Sequence, residues 1–463
     1  MNPADESPAK PLRSPLRNRN YALLWSGGLI SDLGDWTLLI ALPVFVFQLT
    51  GSALTTSTVF VAELVPALIV GQLAGVLVDR WDRRQILVVV GVVQAVLLLP
   101  LLAVTTTDRL WIVYLVAALQ SCLARLANPA KAALIPSLVP REELTAANSL
   151  NAVSDNLARL VGSPIGGLAI QLLGLVGVVV VDAVTFLVSA LLAAQIRVPK
   201  ESAAPRAAGA EATGGGAAGP RAAEPEPRGA PRASLVADWL DGLRTIRRTP
   251  PLPAILSIGA LSQVAQGIFV VLFVVFVLRE LNGTGGDVGL IRGMQAIGGV
   301  IGGIVVGWLG RRLGPKGLIS WGFVVFGLIA LATWNAPRFT TAIGLYVGLF
   351  IAAGIPGVAT QTGLITIVQS VTPPTHLGRV FAAFETGSGA LQAVGVLLAG
   401  ALADQLGVVT ILNVQAGIYI LCGLLAFAAV RVAGAARQRE PEPPAEPEPP
   451  APPFVSDAPH SEP

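Results

Sequence analysis

Asp32 and Asp35 stand three positions apart within a long apolar stretch, and Glu63, Arg125, Asp155, Arg159, Asp182, Arg292 and Glu385 sit in similar surroundings further along. An ionised side chain at the centre of an apolar, membrane-length helix costs about 2.5–3.5 kcal/mol on insertion scales, so it faces a cavity or a partner. A carboxyl group in a low-dielectric cavity can load and release protons near neutral pH. Asp35 and Asp32 are the first candidates for a proton carrier, with Glu63 and Glu385 second. The competing role for the two aspartates is a purely structural ion pair. Neither has a basic residue within four positions, so a partner must come from another helix, and Arg125 is the candidate. Asp155 and Arg159 have the i, i+4 spacing of a helical pair and are expected to bond each other. With Arg125 and Arg292 they form the expected charged partners of the cavity. Glu385 could instead cap a polar patch near the inner end of its helix, and Asp182 is placed near the outer interface.

An apolar wall carrying a few amides suits an amphiphilic ligand. Gln263 and Gln266 precede Phe269, Phe273 and Phe276 at near-helical spacing, and with Trp36 they are candidates for such a wall. The same phenylalanines could equally face lipid or a neighbouring helix. Gly298, Gly299, Gly302, Gly303 and Gly307 give a small-residue face for close helix packing.

The elements that must position these residues are apolar runs of about twenty residues, the length that matches the hydrocarbon core of a bilayer. Twelve can be drawn, over 22–48, 54–78, 85–105, 110–135, 146–173, 175–196, 253–279, 285–309, 317–335, 339–370, 378–403 and 407–431. The chain of 463 residues is 53% hydrophobic and 13% charged, with a mean hydropathy of +0.69, against roughly a quarter charged in soluble proteins. An all-α integral membrane protein is expected. Its segments are a cytoplasmic 1–21, a six-helix bundle over 22–196, a linker over 197–252, a second bundle over 253–431 and a disordered Pro/Glu-rich tail over 432–463. Within the linker, 235–248 has apolar residues at helical spacing with arginines opposite, which predicts an amphipathic helix on the inner membrane surface. The polar, basic N-terminus lacks a small-residue cleavage site and is read as preceding an uncleaved first helix.

A net charge of +3 points to no nucleic-acid partner. Cys122 and Cys422 lie far apart inside apolar runs, without a CxxC, so free thiols are expected rather than a metal site or disulfide. Basic residues mark the inner side of a membrane. Arg80, Arg83, Arg84, Arg141 and the nearby Lys131 fall in or by alternate gaps of the first half, and Arg311, Arg312, Lys316, His376 and Arg379 in the corresponding places of the second. Both termini and the linker are therefore expected in the cytoplasm. The halves also repeat: Pro140, Leu144, Gly162, Gly167 and Gly174 recur as Pro373, Leu377, Gly395, Gly400 and Gly407 at a constant offset of 233. Parallel six-helix repeats around a central cavity are the arrangement this predicts.

Gly75-Val-Leu-Val-Asp79-Arg80-Trp-Asp82-Arg83-Arg84 resembles the cytoplasmic loop signature of the major facilitator superfamily. The stretches around Asp32-Leu-Gly34-Asp35-Trp36, Arg125 to Pro136 and Val139 to Asn151 look like its drug- and siderophore-exporter branch, best known for macrolide and enterobactin exporters. The resemblance covers 20–196 well and 253–431 more loosely. It implies proton-driven export of an amphiphilic compound from a bacterial inner membrane by a monomer in contact with lipid. It also implies that Gly75, Asp79, Arg80, Arg83 and Arg84 form a gating loop that latches the cytoplasmic side. No phosphate-binding GxxxxGK[ST] is present, so an ion gradient, not a nucleotide or other cofactor, is the expected energy source, and no enzymatic role is expected. A lipid-handling or nutrient transporter of the same fold and a non-transporting sensor or scaffold are the alternatives.

Overall fold

The computed structural model describes residues 14–78, 81–197 and 235–437. They form eleven α-helices joined by short 3-10 turns: α1 (Arg19–Thr50), α2 (Ala53–Val78), α3 (Arg83–Leu98), α4 (Leu110–Leu138), α5 (Leu144–Ala194), α6 (Leu235–Arg248), α7 (Leu252–Arg279), α8 (Gly285–Asn335), α9 (Ile343–Val371), α10 (Leu377–Leu406) and α11 (Val408–Arg437). Ten of them are long and apolar enough to cross a membrane. Their ends follow local chemistry. Asn18 caps α1 by accepting from the amides of Asn20 and Tyr21, and Gly51, at φ +63°, closes it by donating to the Phe47 carbonyl. Thr284 and Asp287 cap α8 reciprocally, each side chain accepting from the other's backbone amide.

α5 and α8 each run for 51 residues. A continuous helix of that length would be about 76 Å long, more than twice the thickness of the hydrocarbon core. Each is broken at one glycine: Gly174 has φ 63° and ψ −167°, and Gly314 has φ 64° and ψ 170°, a backbone that only glycine adopts readily. The chain reverses there. Before Gly174, Gly162 and Gly166 pack on Leu33 and Thr37, in parallel with α1; after it, Asp182 and Ser189 lie against Gly34 and Gly27, antiparallel to α1. α8 does the same beside α9. Gly298 and Gly302 meet Ile351 and Ile355 in parallel, whereas Ile319 and Gly322 meet Gly363 and Thr360 in the opposite sense.

Pseudo-symmetry is visible in the same contacts. Gly162 of α5 abuts the Leu33 backbone of α1, and its repeat mate Gly395 of α10 abuts Val264 of α7. Gly167 packs on Gly285 and Gly289 at the start of α8, and its mate Gly400 packs on Leu54 and Ser57 at the start of α2. The two halves therefore join through a matched pair of crossings, α5 with α8 and α10 with α2. At the end of the molecule that carries Gly51 they are pinned together: Arg279 donates to the Gly51 carbonyl at 2.9 Å and faces Asp404 at 3.5 Å, and Gln171 accepts from the Gly286 amide. Away from that end α5 and α8 part. Gly289 and Gly293 touch α5, a Cβ at Gly299 would stand 3.7 Å from the Arg159 guanidinium, and one at Gly303 or Gly307 would meet nothing within 4 Å.

The small-residue face of α8 is thus architectural at some positions and open at others. A methyl group at Gly298 would run into the Ile351 carbonyl, a backbone atom that cannot rotate away. Gly298→Ala is expected to destabilise by more than the ~1–3 kcal/mol of ordinary overpacking, read as a lowered Tm in detergent, while Gly307→Ala leaves Tm unchanged.

α6 is amphipathic, as its spacing predicts, but it rests on protein. Trp239 and Ile246 join Leu252, Val368, Val380 and Ala383 in one apolar cluster, and Asp241 accepts from Arg379 at 2.8 Å with His376 at 3.9 Å. α9 and α10 offer apolar side chains and a cation in register with it. Elsewhere large apolar side chains such as Ile69, Leu172 and Ile304 point outward, as a lipid-facing surface requires.

Candidate functional site

α1 brings its two aspartates to a cleft shared with α3, α4 and the returning half of α5. Asp32 is paired with Lys131 of α4, Nζ to Oδ2 3.1 Å. Asp35 lines the same small cavity, about 50 Å³, with Gln94, Asn128 and Lys131. Its side chain is exposed although it lies at the middle of a membrane-length helix. Behind them stands Asp182, fully buried: one carboxylate oxygen takes a bond from Thr185 at 3.2 Å and the other has no partner. A Cβ at Gly34 would collide with this carboxylate, so α1 needs glycine there to approach it.

Two larger chambers lie beyond. One, of about 500 Å³, has walls from both halves: Glu63 of α2 and Arg125 of α4 on one side, Gln266, Phe273 and Arg292 on the other, with Gln392 of α10. The second, of about 630 Å³, lies mostly in the second half and is lined by Glu385, Gln263, Gln295, Gln361, Phe384 and Tyr419, with Arg159 reaching in from α5. Gln266, Phe269 and Arg292 belong to both. Ala124 and Asn128 in turn separate the central chamber from the aspartate cleft.

Several expectations change. Arg125 is not the partner of the aspartates. It lies six residues before Lys131, a separation of roughly 120° around a helix, so Lys131 meets Asp32 while Arg125 turns to the central chamber. Lys131 lies within α4, inside the expected span 110–135. Asp155 and Arg159 do not pair: among the described residues no ion pair joins them within 4.0 Å. Arg159 bonds Asn156 at 3.1 Å and lies over the Trp36 ring, 5.8 Å from its centroid. The i, i+4 pair is lost because an aromatic and an amide face the guanidinium, while Asp155 stays exposed. Asp182 faces α1 rather than the outer interface.

Nor do Asp32, Asp35 and Glu385 share one void: the aspartates border the small cleft and Glu385 the second-half chamber. Of the candidate wall, Gln263, Gln266, Phe269 and Phe273 line chambers. Phe276 is packed away, edge-on to Trp334 at 4.9 Å. Gln295, Gln361, Gln392 and Tyr419 were not singled out from the sequence, and Lys131 was read only as a mark of the inner side; polar side chains within apolar runs were the signal that could have placed them in the site. Of the gating loop, Gly75 lies within the last turn of α2 and Arg84 bonds the Ala194 carbonyl; Asp79 and Arg80 lie outside the described residues. Cys122 and Cys422 are both free. Among the described residues no cluster of His, Cys, Asp or Glu could hold a metal ion.

Residues 11–452 match a family described as transmembrane secretion effector. An MFS-type transporter of Bacillus subtilis is 27% identical over 421 residues, covering 88% of this chain and 92% of its own length. Macrolide efflux protein A of Streptococcus pyogenes is 23% identical over 391 residues, covering 84% and 90%. A bacterial homologue of the iron transporter ferroportin in its inward-facing state superposes with a TM-score of 0.65 at 16% identity, over 89% of this chain and 98% of its own, which shows a shared fold. With ten long apolar helices, matched crossings between its halves and this match across nearly its whole length, the chain belongs to the transmembrane secretion effector family of major-facilitator-type transporters, multi-pass membrane proteins that carry small molecules and are not enzymes.

Proposed function

We propose that this protein is a proton-coupled exporter of an amphiphilic small molecule in a bacterial cytoplasmic membrane, acting as a monomer by alternating access between halves 22–196 and 253–431. With α5 and α8 each counted as two spans, it crosses the bilayer twelve times. Both termini then lie in the cytoplasm, and the end where α5 and α8 part faces inward. The carrying observation is the central chamber, walled by both halves and holding Glu63, Arg125 and Arg292 at membrane depth beside aromatic rings. Charges so placed are tolerated where they border water. An amphiphile finds apolar and amide walls there.

Within this reading Asp35 carries the proton. It faces a cavity, and its neighbour Asp32 rather than itself holds Lys131. Glu63 and Glu385 line the substrate chambers, and Asp79 with its basic neighbours belongs to the loop that shuts the inner side. The efflux named in the Streptococcus pyogenes relative, macrolide efflux protein A, supports the direction. Everted vesicles containing the protein are expected to take up an amphiphilic dye or a macrolide when energised, and to lose that uptake on addition of an uncoupler. Uptake equal to that of protein-free vesicles for every amphiphile offered would overturn the reading.

A further inference from the structure

Three guanidinium groups stand in the chamber walls with no counter-ion. Among the described residues, no carboxylate lies within 4.0 Å of Arg125, Arg159 or Arg292. What each touches instead is neutral. Arg159 bonds the Asn156 amide at 3.1 Å, lies over Trp36, and leaves its buried Nε without a partner. Arg292 bonds the Gln295 side chain and sits over the Phe269 ring, 5.0 Å from its centroid. Arg125 is exposed to the central chamber. The same chambers contain two carboxylates, Glu63 and Glu385, so three positive charges face two negative ones. When the glutamates are protonated the excess grows.

A guanidinium held at membrane depth is costly unless something compensates it. Arginine is also the side chain whose planar fork suits carboxylate and phosphate oxygens. Beside it the walls are aromatic: Phe323 stacks on Tyr419 at 6.1 Å and Phe326 meets the same ring edge-on at 4.8 Å, both within reach of a ligand in the second chamber. We propose that the chambers select an anionic amphiphile, an oxyanion on an apolar, ring-bearing body, with Arg159 and Arg292 gripping the oxyanion and Arg125 raising the local potential. This rests on the transport reading above and narrows its substrate. It places the cargo's charge in chambers distinct from the Asp35 cleft, so proton and cargo occupy different sites. An anion leaving a negatively charged cytoplasm also moves with the membrane potential rather than against it.

The test separates the two claims because it measures binding with no gradient present. The full chain in phosphatidylcholine nanodiscs is titrated with naphthylacetate, naphthylacetamide and naphthylethylammonium, which share one ring and differ in charge. One charge-assisted pair corresponds to about a tenfold or greater preference for the anion over the cation. Arg159→Gln and Arg292→Gln should each remove most of that preference, while a Tm equal to the parent's shows that the walls remain folded. Equal or weaker binding of the anion by the parent protein, including none, overturns the proposal, as does a preference that survives both substitutions together. Exchanging phosphatidylcholine for phosphatidylglycerol identifies the source of the oxyanion: displacement of naphthylacetate assigns the site to a lipid headgroup, and its retention assigns it to a soluble anion. Loss of energised uptake in vesicles with the binding preference intact would remove the transport reading and leave this one standing.

Discussion

Asp35→Asn is expected to abolish uphill export while leaving expression, folding and downhill flux intact. The substitution keeps the shape of the side chain and its hydrogen-bonding capacity but removes the proton it can carry. A proton moving through ~150 mV yields about 3.5 kcal/mol, enough for a gradient of roughly 300-fold. For an uncharged amphiphile the parent protein in energised vesicles can therefore reach a concentration ratio of up to that factor, and the variant should stop at equality across the membrane. Measurement of the steady-state accumulation ratio with and without uncoupler reads this directly. A ratio that stays high and uncoupler-sensitive in the variant would take Asp35 out of the mechanism, and the same assay on Glu63→Gln would then decide whether the carboxylate of the central chamber has that role. The choice between them is geometric. Asp35 opens on a cleft with Lys131 and Gln94, apart from the chambers, whereas Glu63 shares its chamber with the arginines proposed to hold the cargo.

Apolar periodicity locates membrane helices well because the bilayer imposes one length on every crossing. Nearly every expected span coincides with an observed helix or half of one, and the breaks expected at Gly174 and between 309 and 317 fall at Gly174 and Gly314, both with left-handed φ. The repeat offset was equally legible, since Gly167 and Gly400 occupy equivalent crossings. What the spacing could not supply was facing. Arg125 and Lys131 lie on one helix and are equally plausible partners for Asp32 from sequence; only the rotation of α4 against α1 decides between them. Asp155 and Arg159 had ideal spacing for a pair, but a helix surface is not isolated, and Trp36 with Asn156 claims the arginine. Asp182 looked peripheral because nothing local marks it as interior. Its place is set by Gly34, a residue more than a hundred positions away.

Lys131→Ala is expected to lower stability strongly, and a second substitution should restore it. The Asp32–Lys131 pair is mostly enclosed, with side-chain exposures of 24% and 18%, and Asp35 and Asp182 lie close to it on α1 and the returning half of α5. Removing the lysine leaves Asp32 without its counter-ion in a region already rich in carboxylates. Breaking an enclosed pair from one side costs about 3–5 kcal/mol, because the surviving charge is left uncompensated. Taking away both charges, as Asp32→Asn with Lys131→Met, removes that penalty. The double variant should therefore recover most of the lost Tm even though it contains neither ionic partner. The cycle also separates structure from coupling. If the pair serves only to hold α1 against α4, the double variant exports as well as the parent. If Lys131 must swing from Asp32 as Asp35 changes its proton, the double variant is stable yet exports only downhill. A Lys131→Ala protein as stable as the parent would mean that water in the cleft already solvates Asp32, and the pair would then have little to do with keeping α1 and α4 together.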